Sequence, residues 1–351
     1  MVAVEPREFK KVLIVRLSAL GDVIHVLPAL DALRHALPRA HLAWLVEDRA
    51  ATLLAGHPQV DRLHVLPRGS IAAALFCERR PLAALEKLTA FFGDLRRERF
   101  DLAIDFQSNL RSALACVASG ARMRAGLARG FGKEGSFFFY HRRLRPPGRR
   151  IHKVEKYLAM VRDLGFSTAG ARARIAVPEA SRARVAPFFA ALGAGRIVAL
   201  HPGVSARGAE KRWAPEKFAA VAEALAARGA RPIVTWGPGE RPLAERVVIL
   251  ARGAATIAPE TTSLLDLAAI YARCDTVSGA DTGPIHLAAA LGVPVVGLYG
   301  PKDPAIYAPW SSRTGGPADT IFRERMSEIG VEEVVEAVLR AAAQAPAAAR
   351  A

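Results

Sequence analysis

Residues 11–36 read KVLIVRLSALGDVIHVLPALDALRHA. The first seven are apolar except for Lys11 and Arg16, and rich in β-branched residues, as in a strand covered on both faces. From 22 to 36 the apolar residues fall at helical spacing. Strand, short glycine-containing loop and helix form the repeating unit of a parallel α/β sheet. The unit recurs: HLAWLVE at 41–47, DRLHVLP at 61–67 and FDLAIDF at 100–106 each precede a helix-compatible segment.

A second series with the same grammar begins at RIVALHPG, 196–203. It continues with a helix from Pro215, RPIVTW at 231–236, a further helix, DTVSGAD at 275–281, a helix over 283–291 and PVVGLYG at 294–300. A last alanine-rich helix starts near Val331. Between the series, ARMRAGLARGFGKEGSFFFYHRRLRPPGRR at 121–150 sets nine Lys/Arg against one Glu and reads as surface loops. A helix is expected over 153–164 and a linker within 169–187. A chain of 351 residues, at about 100–200 residues per domain, divides into two. The expected division is 1–175, 176–330, and a helix with a frayed tail over 331–351.

Composition narrows the class. With 51% hydrophobic and 23% charged residues the chain can bury a core and is not disordered. A net charge of +16 implies an anionic partner: nucleic acid, a phosphorylated lipid surface or a phosphate-bearing substrate. No helix-turn-helix, finger or stacking motif accompanies it, so no nucleic acid is expected. Cys77, Cys116 and Cys274 are scattered and odd in number, which argues against a disulfide framework or zinc site and fits a reducing cytoplasm. The start, MVAVEPREFKK, has no apolar core of a signal peptide. Without a run of about 18 apolar residues, any membrane contact is expected to be peripheral.

Four segments could carry chemistry. LSALGDVIHVLPAL at 17–30 puts Ser18, Gly21 and Asp22 at the carboxyl end of a strand, where open α/β sheets bind ligands. Asp22 reads as a reactive carboxylate or as a helix cap, two roles that are not exclusive. SGADTGPIHLAAALGVP at 278–294 brings Asp281, Thr282, Gly283 and His286 to a helix start suited to phosphate; the alternative is a cap with a core histidine. In HPGVSARGAEKRWAPEKF at 201–218, Lys211 could meet a phosphate or stay solvated. In TWGPGERPLAERV at 235–247, Glu240 could bind ribose or serve the helix dipole. No G-x-G-x-x-G follows the first strand, P-loop spacing fails, and H-E-x-x-H and G-x-S-x-G are missing.

Taken in order, SALGDVIHVLPAL, KRWAP at 211–215, DTGPIHLAAALGVP and LYGP at 298–301 resemble the heptosyltransferase family over nearly the whole chain. The resemblance implies GT-B architecture: two Rossmann-like domains with parallel sheets facing across a cleft. It implies an N-terminal acceptor-binding and a C-terminal nucleotide-sugar-binding domain, inverting transfer from ADP-heptose, no cofactor and no obligatory metal. QSNLRSAL at 107–114, FFFYHRR at 137–143 and HKVEKY at 152–157 resemble the branch that adds the first heptose to Kdo-lipid A. A related transferase with another nucleotide sugar or a later core acceptor stays open. The loop from His201 to Lys211 is longer than in that branch, and Pro284 replaces a commoner aliphatic residue.

By the same resemblance Asp22 is the general base. Ser205, Lys211, Glu240, Asp281, Thr282, Gly283 and His286 bind the donor, and Ser18, Gly21, Asn109, Arg111, Arg142 and Arg143 the acceptor. The nine cations of 121–150 and the FFFY run would then meet the cytoplasmic face of an inner membrane. An alternative leaves that loop solvated and its aromatics in the core.

Overall fold

The computed structural model describes residues 9–345, except the side chains at 49, 206 and 207. The expectations about a signal peptide and a frayed tail therefore fall largely outside the described residues. The chain forms two compact units, Met1–Ala176 and Val177–Ala351.

In the first unit the strands are β1 (Lys11–Val15), β2 (His41–Glu47), β3 (Arg62–Leu66), β4 (Leu102–Asp105), β5 (Met123–Leu127) and β6 (Arg142–Leu144). Its helices are α1 (Leu20–Ala36), α2 (Asp48–Leu54), α3 (Arg68–Ala72), α4 (Pro81–Arg97), α5 (Leu110–Ala118) and α6 (Lys153–Asp163). All six strands run parallel in the order β3-β2-β1-β4-β5-β6. Both faces of β1 are covered, as its unbroken apolar run requires: Leu13 and Val15 join Leu45, Phe100 and Ala103 in one buried cluster. Val12 and Ile14 are equally buried.

The basic 121–150 segment is not merely loop, because it supplies β5 and β6. The strand signal was masked by Arg124, Arg142 and Arg143, tolerated because β6 is the sheet edge and the Arg124 guanidinium donates to the Phe139 carbonyl. The expected 169–187 linker is also partly structured, since α7 (Glu179–Leu192) takes its second half despite an internal Pro187.

The second unit continues with β7 (Arg196–His201), α8 (Pro215–Ala227), β8 (Ala230–Val234), α9 (Arg241–Leu250), β9 (Thr256–Ile257), α10 (Leu264–Tyr271) and β10 (Thr276–Ala280). After these come α11 (Gly283–Ala290), β11 (Val295–Tyr299), α12 (Pro304–Tyr307), β12 (Trp310–Ser311), β13 (Gly316–Pro317), β14 (Asp319–Phe322) and α13 (Val331–Ala343). Its sheet is parallel, ordered β14-β11-β10-β7-β8-β9. The core joins Val198, Leu200, Trp213, Phe218, Val234 and Val296 to Val334 and Val338 of α13. The last helix thus belongs to this core, and Ala341 and Ala342 are still buried in it.

Candidate active site

The chain leaves β1 through Arg16, Leu17 and Ser18 and enters α1, whose cap position is Ala19. No side chain caps α1, so Asp22 in its first turn does not spend its carboxylate there. Instead Asp22 lies 2.5 Å from Arg16 Nη2 and accepts a hydrogen bond from Lys153 Nζ, at the first residue of α6. Burial alone would raise the Asp22 carboxyl, but the Arg16, Lys153 and His25 charges outweigh it and hold it below the usual carboxylate range. About a quarter of the Asp22 side chain remains exposed.

Arg16 is fixed from behind. Its Nη1 donates to the Phe106 carbonyl at 3.0 Å and to the Tyr157 hydroxyl at 3.1 Å. Nearby, burial and the charges of Lys153, Arg16 and Lys133 bring Lys156 down to about 8. The corner is therefore an ionised carboxylate among cations, near the carboxyl end of the central strand.

A chain of polar contacts leads away from it. Gln107 Oε1 accepts from the Leu17 and Ser18 amides. Arg111 reaches Ser18 Oγ at 3.5 Å and pairs with Glu47 at 2.6 Å; Glu47 also pairs with Arg68 at 3.2 Å. Gly21 lies in the first turn of α1. Asn109 caps α5, its Oδ1 accepting from the Ser112 amide at 3.0 Å. Among the described residues Arg142 and Arg143 make no hydrogen bond or ion pair with the Asp22 corner; they donate to the carbonyls of Asp163 and Phe137.

In the second unit, Lys211 is not a solvated lysine. Its ammonium donates to Asp281 Oδ2 at 2.6 Å and to the Asp281 carbonyl at 3.1 Å. Asp281 also faces His286 Nε2 at 3.1 Å and accepts from the Tyr299 hydroxyl at 3.4 Å. Burial opposes the Asp281 charge, yet His286 and Lys211 bring its carboxyl down to about 2. Thr282 occupies the cap position of α11, but its hydroxyl donates to the Ala280 carbonyl and leaves the helix start without a side-chain cap. The amide of Gly283 opens that helix.

Glu240 holds the cap position of α9, where its Oε2 accepts from the Gly237 amide at 2.9 Å. A Cβ at position 203 would collide with that oxygen, so Gly203 of HPG is what lets the carboxylate in. His201 Nε2 stands 3.7 Å from the same oxygen, while its Nδ1 meets Thr235 Oγ1 at 3.0 Å. Burial lowers His201 to about 4 and keeps it neutral. Ser205 is exposed and precedes the short helical turn that ends at Lys211.

Sequence reasoning singled out Asp22, Lys211, Glu240, Asp281 and His286 as candidates, but not Arg16, Lys153, Tyr299 and His201, which the structure places against them. Arg16 sits inside the apolar first strand segment, and Lys153 in HKVEKY; neither has a spacing that points to the aspartate.

Two parallel α/β units with a phosphate-compatible helix start in the second and an ionised carboxylate near the carboxyl end of β1 in the first describe a glycosyltransferase of the GT-B type. The chain belongs to glycosyltransferase family 9 (heptosyltransferase), whose model matches residues 88–321. It is 32% identical to lipopolysaccharide heptosyltransferase 1 of Pseudomonas aeruginosa over 298 residues, 84% of this chain and 79% of that one. Enzymes of Escherichia coli named lipopolysaccharide heptosyltransferase 3 and 2 match as well, each at 26% identity.

Among solved structures, the E. coli heptosyltransferase WaaC with ADP-2-deoxy-2-fluoro heptose superposes with a TM-score of 0.74 at 25% identity, covering 94% of this chain and 99% of WaaC. A family 9 glycosyl transferase from Veillonella parvula superposes with a TM-score of 0.81 at 22% identity, covering 97% and 99%. The second likeness speaks for the fold alone.

Proposed function

We propose that this chain moves a heptose from ADP-heptose to a Kdo residue of the lipopolysaccharide inner core, the heptosyltransferase I reaction, with inversion and with Asp22 as general base. The observation that carries it is the Asp22 corner: a partly exposed carboxylate kept ionised by Arg16 and Lys153 in a family 9 chain. An acceptor hydroxyl is a poor nucleophile at neutral pH, so single-step displacement needs a placed carboxylate to take its proton as attack proceeds. Bracketing cations make Asp22 a weak base in the ground state. The Lys153 ammonium, the more exposed of the two cations, also suits an acceptor that carries carboxylate or phosphate, which would draw it away as it binds while Arg16 stays on Asp22.

The first unit takes the role of acceptor domain, with Ser18, Gly21, Asn109, Arg111, Arg142 and Arg143 about the acceptor. The second is the donor domain. An ammonium has three donors, and Lys211 spends two on Asp281, which leaves one for the diphosphate. The Gly283 amide and the positive end of α11 add to the stabilisation of the departing ADP, with Thr282 at the cap of that helix, and Ser205, before the turn that ends at Lys211, is assigned to the same donor. Asp281 and His286 hold Lys211 in place, and Glu240 takes the ribose hydroxyls. These groups supply the leaving-group charge stabilisation in a reaction without metal or cofactor.

The type 1 relatives in P. aeruginosa and E. coli, at 32% and 30%, favour the first-heptose acceptor over a later one. The working place we assign is the cytoplasmic face of the inner membrane, held peripherally; among the described residues no helix is long and apolar enough to cross a bilayer.

The test is release of ADP from ADP-heptose by the purified protein, with and without a Kdo-lipid A acceptor lacking heptose. Acceptor-dependent release is expected. Saturable ADP binding without release would overturn the sugar and acceptor assignment and point to a related family 9 transfer.

A further inference from the structure

The connection from β3 to β4 is a helical hairpin: α3, a wider helical turn over Ala73–Cys77, and α4. Its inner side is ordinary core, with Ile71, Ala74, Ala84 and Leu95 buried and Leu88, Phe91 and Phe92 against them. Its tip is not. Every residue from 75 to 82 is exposed, among them Leu75, Phe76 at 80% and Leu82 at 74%, followed by Leu85 at 55%. Four large apolar side chains clustered along about ten residues are unusual for a water-facing turn, where isolated ones are normal. The rest of the outer side of α4 is polar, through Glu86, Lys87, Thr89, Asp94, Arg96 and Arg97, so apolar exposure is confined to the tip.

Charge says what covers it. Arg79 and Arg80 stand between Phe76 and Leu82 in sequence, both exposed, and neither makes an ion pair among the described residues. Apolar side chains flanked by free guanidinium groups suit the boundary of an anionic bilayer, where the rings and leucines enter the acyl region and the arginines meet phosphates. The base of the hairpin connects to the proposed acceptor corner through Arg68, Glu47, Arg111 and Ser18.

We propose that the tip of this hairpin, through Leu75, Phe76, Leu82 and Leu85 with Arg79 and Arg80, is the element that docks the protein on an anionic lipid surface. This deepens the transferase reading by naming its membrane-contact surface, and it moves the principal contact away from the 121–150 segment. In that segment Tyr140 is buried on Asp105, Arg124, Arg142 and Arg143 donate to main-chain carbonyls, and Phe138 is the one largely exposed aromatic.

The experiment is flotation of the full chain with vesicles of phosphatidylcholine and phosphatidylglycerol, against phosphatidylcholine alone. It needs no sugar donor, so its failure and that of the transferase reading are separable. Binding is expected only to the anionic vesicles. A Phe76→Ser/Leu82→Ser variant that keeps its circular dichroism and ADP binding should bind them about tenfold more weakly or worse.

A Phe76→Trp variant should gain blue-shifted emission on the anionic vesicles relative to the parent. Undiminished binding by the double serine variant, or an unshifted emission spectrum in the tryptophan variant, would overturn the proposal. So would binding lost in Arg142→Ala/Arg143→Ala while the serine variant still binds. Light scattering showing that Phe76 and Leu82 instead hold two copies of the chain together, with no vesicle binding, would overturn it too.

Discussion

Arg16 Nη2 lies 2.5 Å from Asp22 Oδ2, and Arg16 is itself buried and held by the Phe106 carbonyl and the Tyr157 hydroxyl. A carboxylate against an immobile guanidinium is orientated as well as charged, because Arg16 cannot follow it elsewhere. Asp22→Asn keeps the shape and loses the base. Turnover should fall about 100-fold to 10,000-fold, the usual worth of general-base help, while ADP binding in the other unit stays near its starting value. Steady-state ADP release and calorimetric ADP binding on the same preparation check this. Near-normal turnover would remove Asp22 from the mechanism.

Lys153 offers a separate handle on the same carboxylate. Burial raises the Asp22 carboxyl and Arg16 and Lys153 lower it, so Lys153→Met should lift it while Arg16 still holds it partly down. A base must be ionised, so its acid limb lies at the folded-state value. In the variant, the acid limb of kcat/KM should therefore move to higher pH. An unmoved limb would mean that another group controls it.

Lys211→Met should weaken ADP binding about tenfold to a hundredfold, the range for one charge-assisted hydrogen bond to phosphate. Asp281 loses one of the two side chains that bring it to about 2. Fluorescence or calorimetric titration with ADP reads the effect. Unchanged affinity would return Lys211 to a purely structural partner of Asp281.

His201 sets a stability window in pH. Its folded-state value, about 4, is below the ordinary 6.5, so the unfolded chain takes up the proton first. Stability is complete above 6.5, falls as pH drops through the window, and levels off below about 4, a loss of about 3 kcal/mol. His201→Asn keeps a polar atom near Thr235 and removes the titration, so its melting temperature should fall less between pH 7 and pH 4, about the two ends of that window, than that of the parent. Parallel curves for the two proteins would contradict the assignment.

Much of the architecture was legible because buried parallel strands announce themselves: KVLIV, HLAWLVE and VVGLY are apolar runs that need cover on both faces. Strands without that demand were not legible. β5 and β6 carry arginines whose guanidinium groups find main-chain carbonyls near the edge of the sheet, a tertiary compensation with no local pattern, and β9 spans only two residues. The candidate positions Asp22, Lys211 and Asp281 stood out because polar residues interrupt apolar grammar at or near strand ends.

Their partners did not stand out. Nothing along the chain says that Lys153, 131 residues away, reaches Asp22, that Tyr299 and His286 meet on Asp281, or that the missing side chain of Gly203 makes room for Glu240. Nor does periodicity distinguish Phe76 and Leu82, left in water, from Phe91 and Leu95, which are drawn into the core. The sequence by itself determined the strand–helix alternation, two units and a family, because local burial leaves a local pattern. Which charges neutralise which, and which apolar residues remain uncovered, was decided by tertiary structure, because proximity in a parallel sheet is set by crossovers between strands distant in sequence.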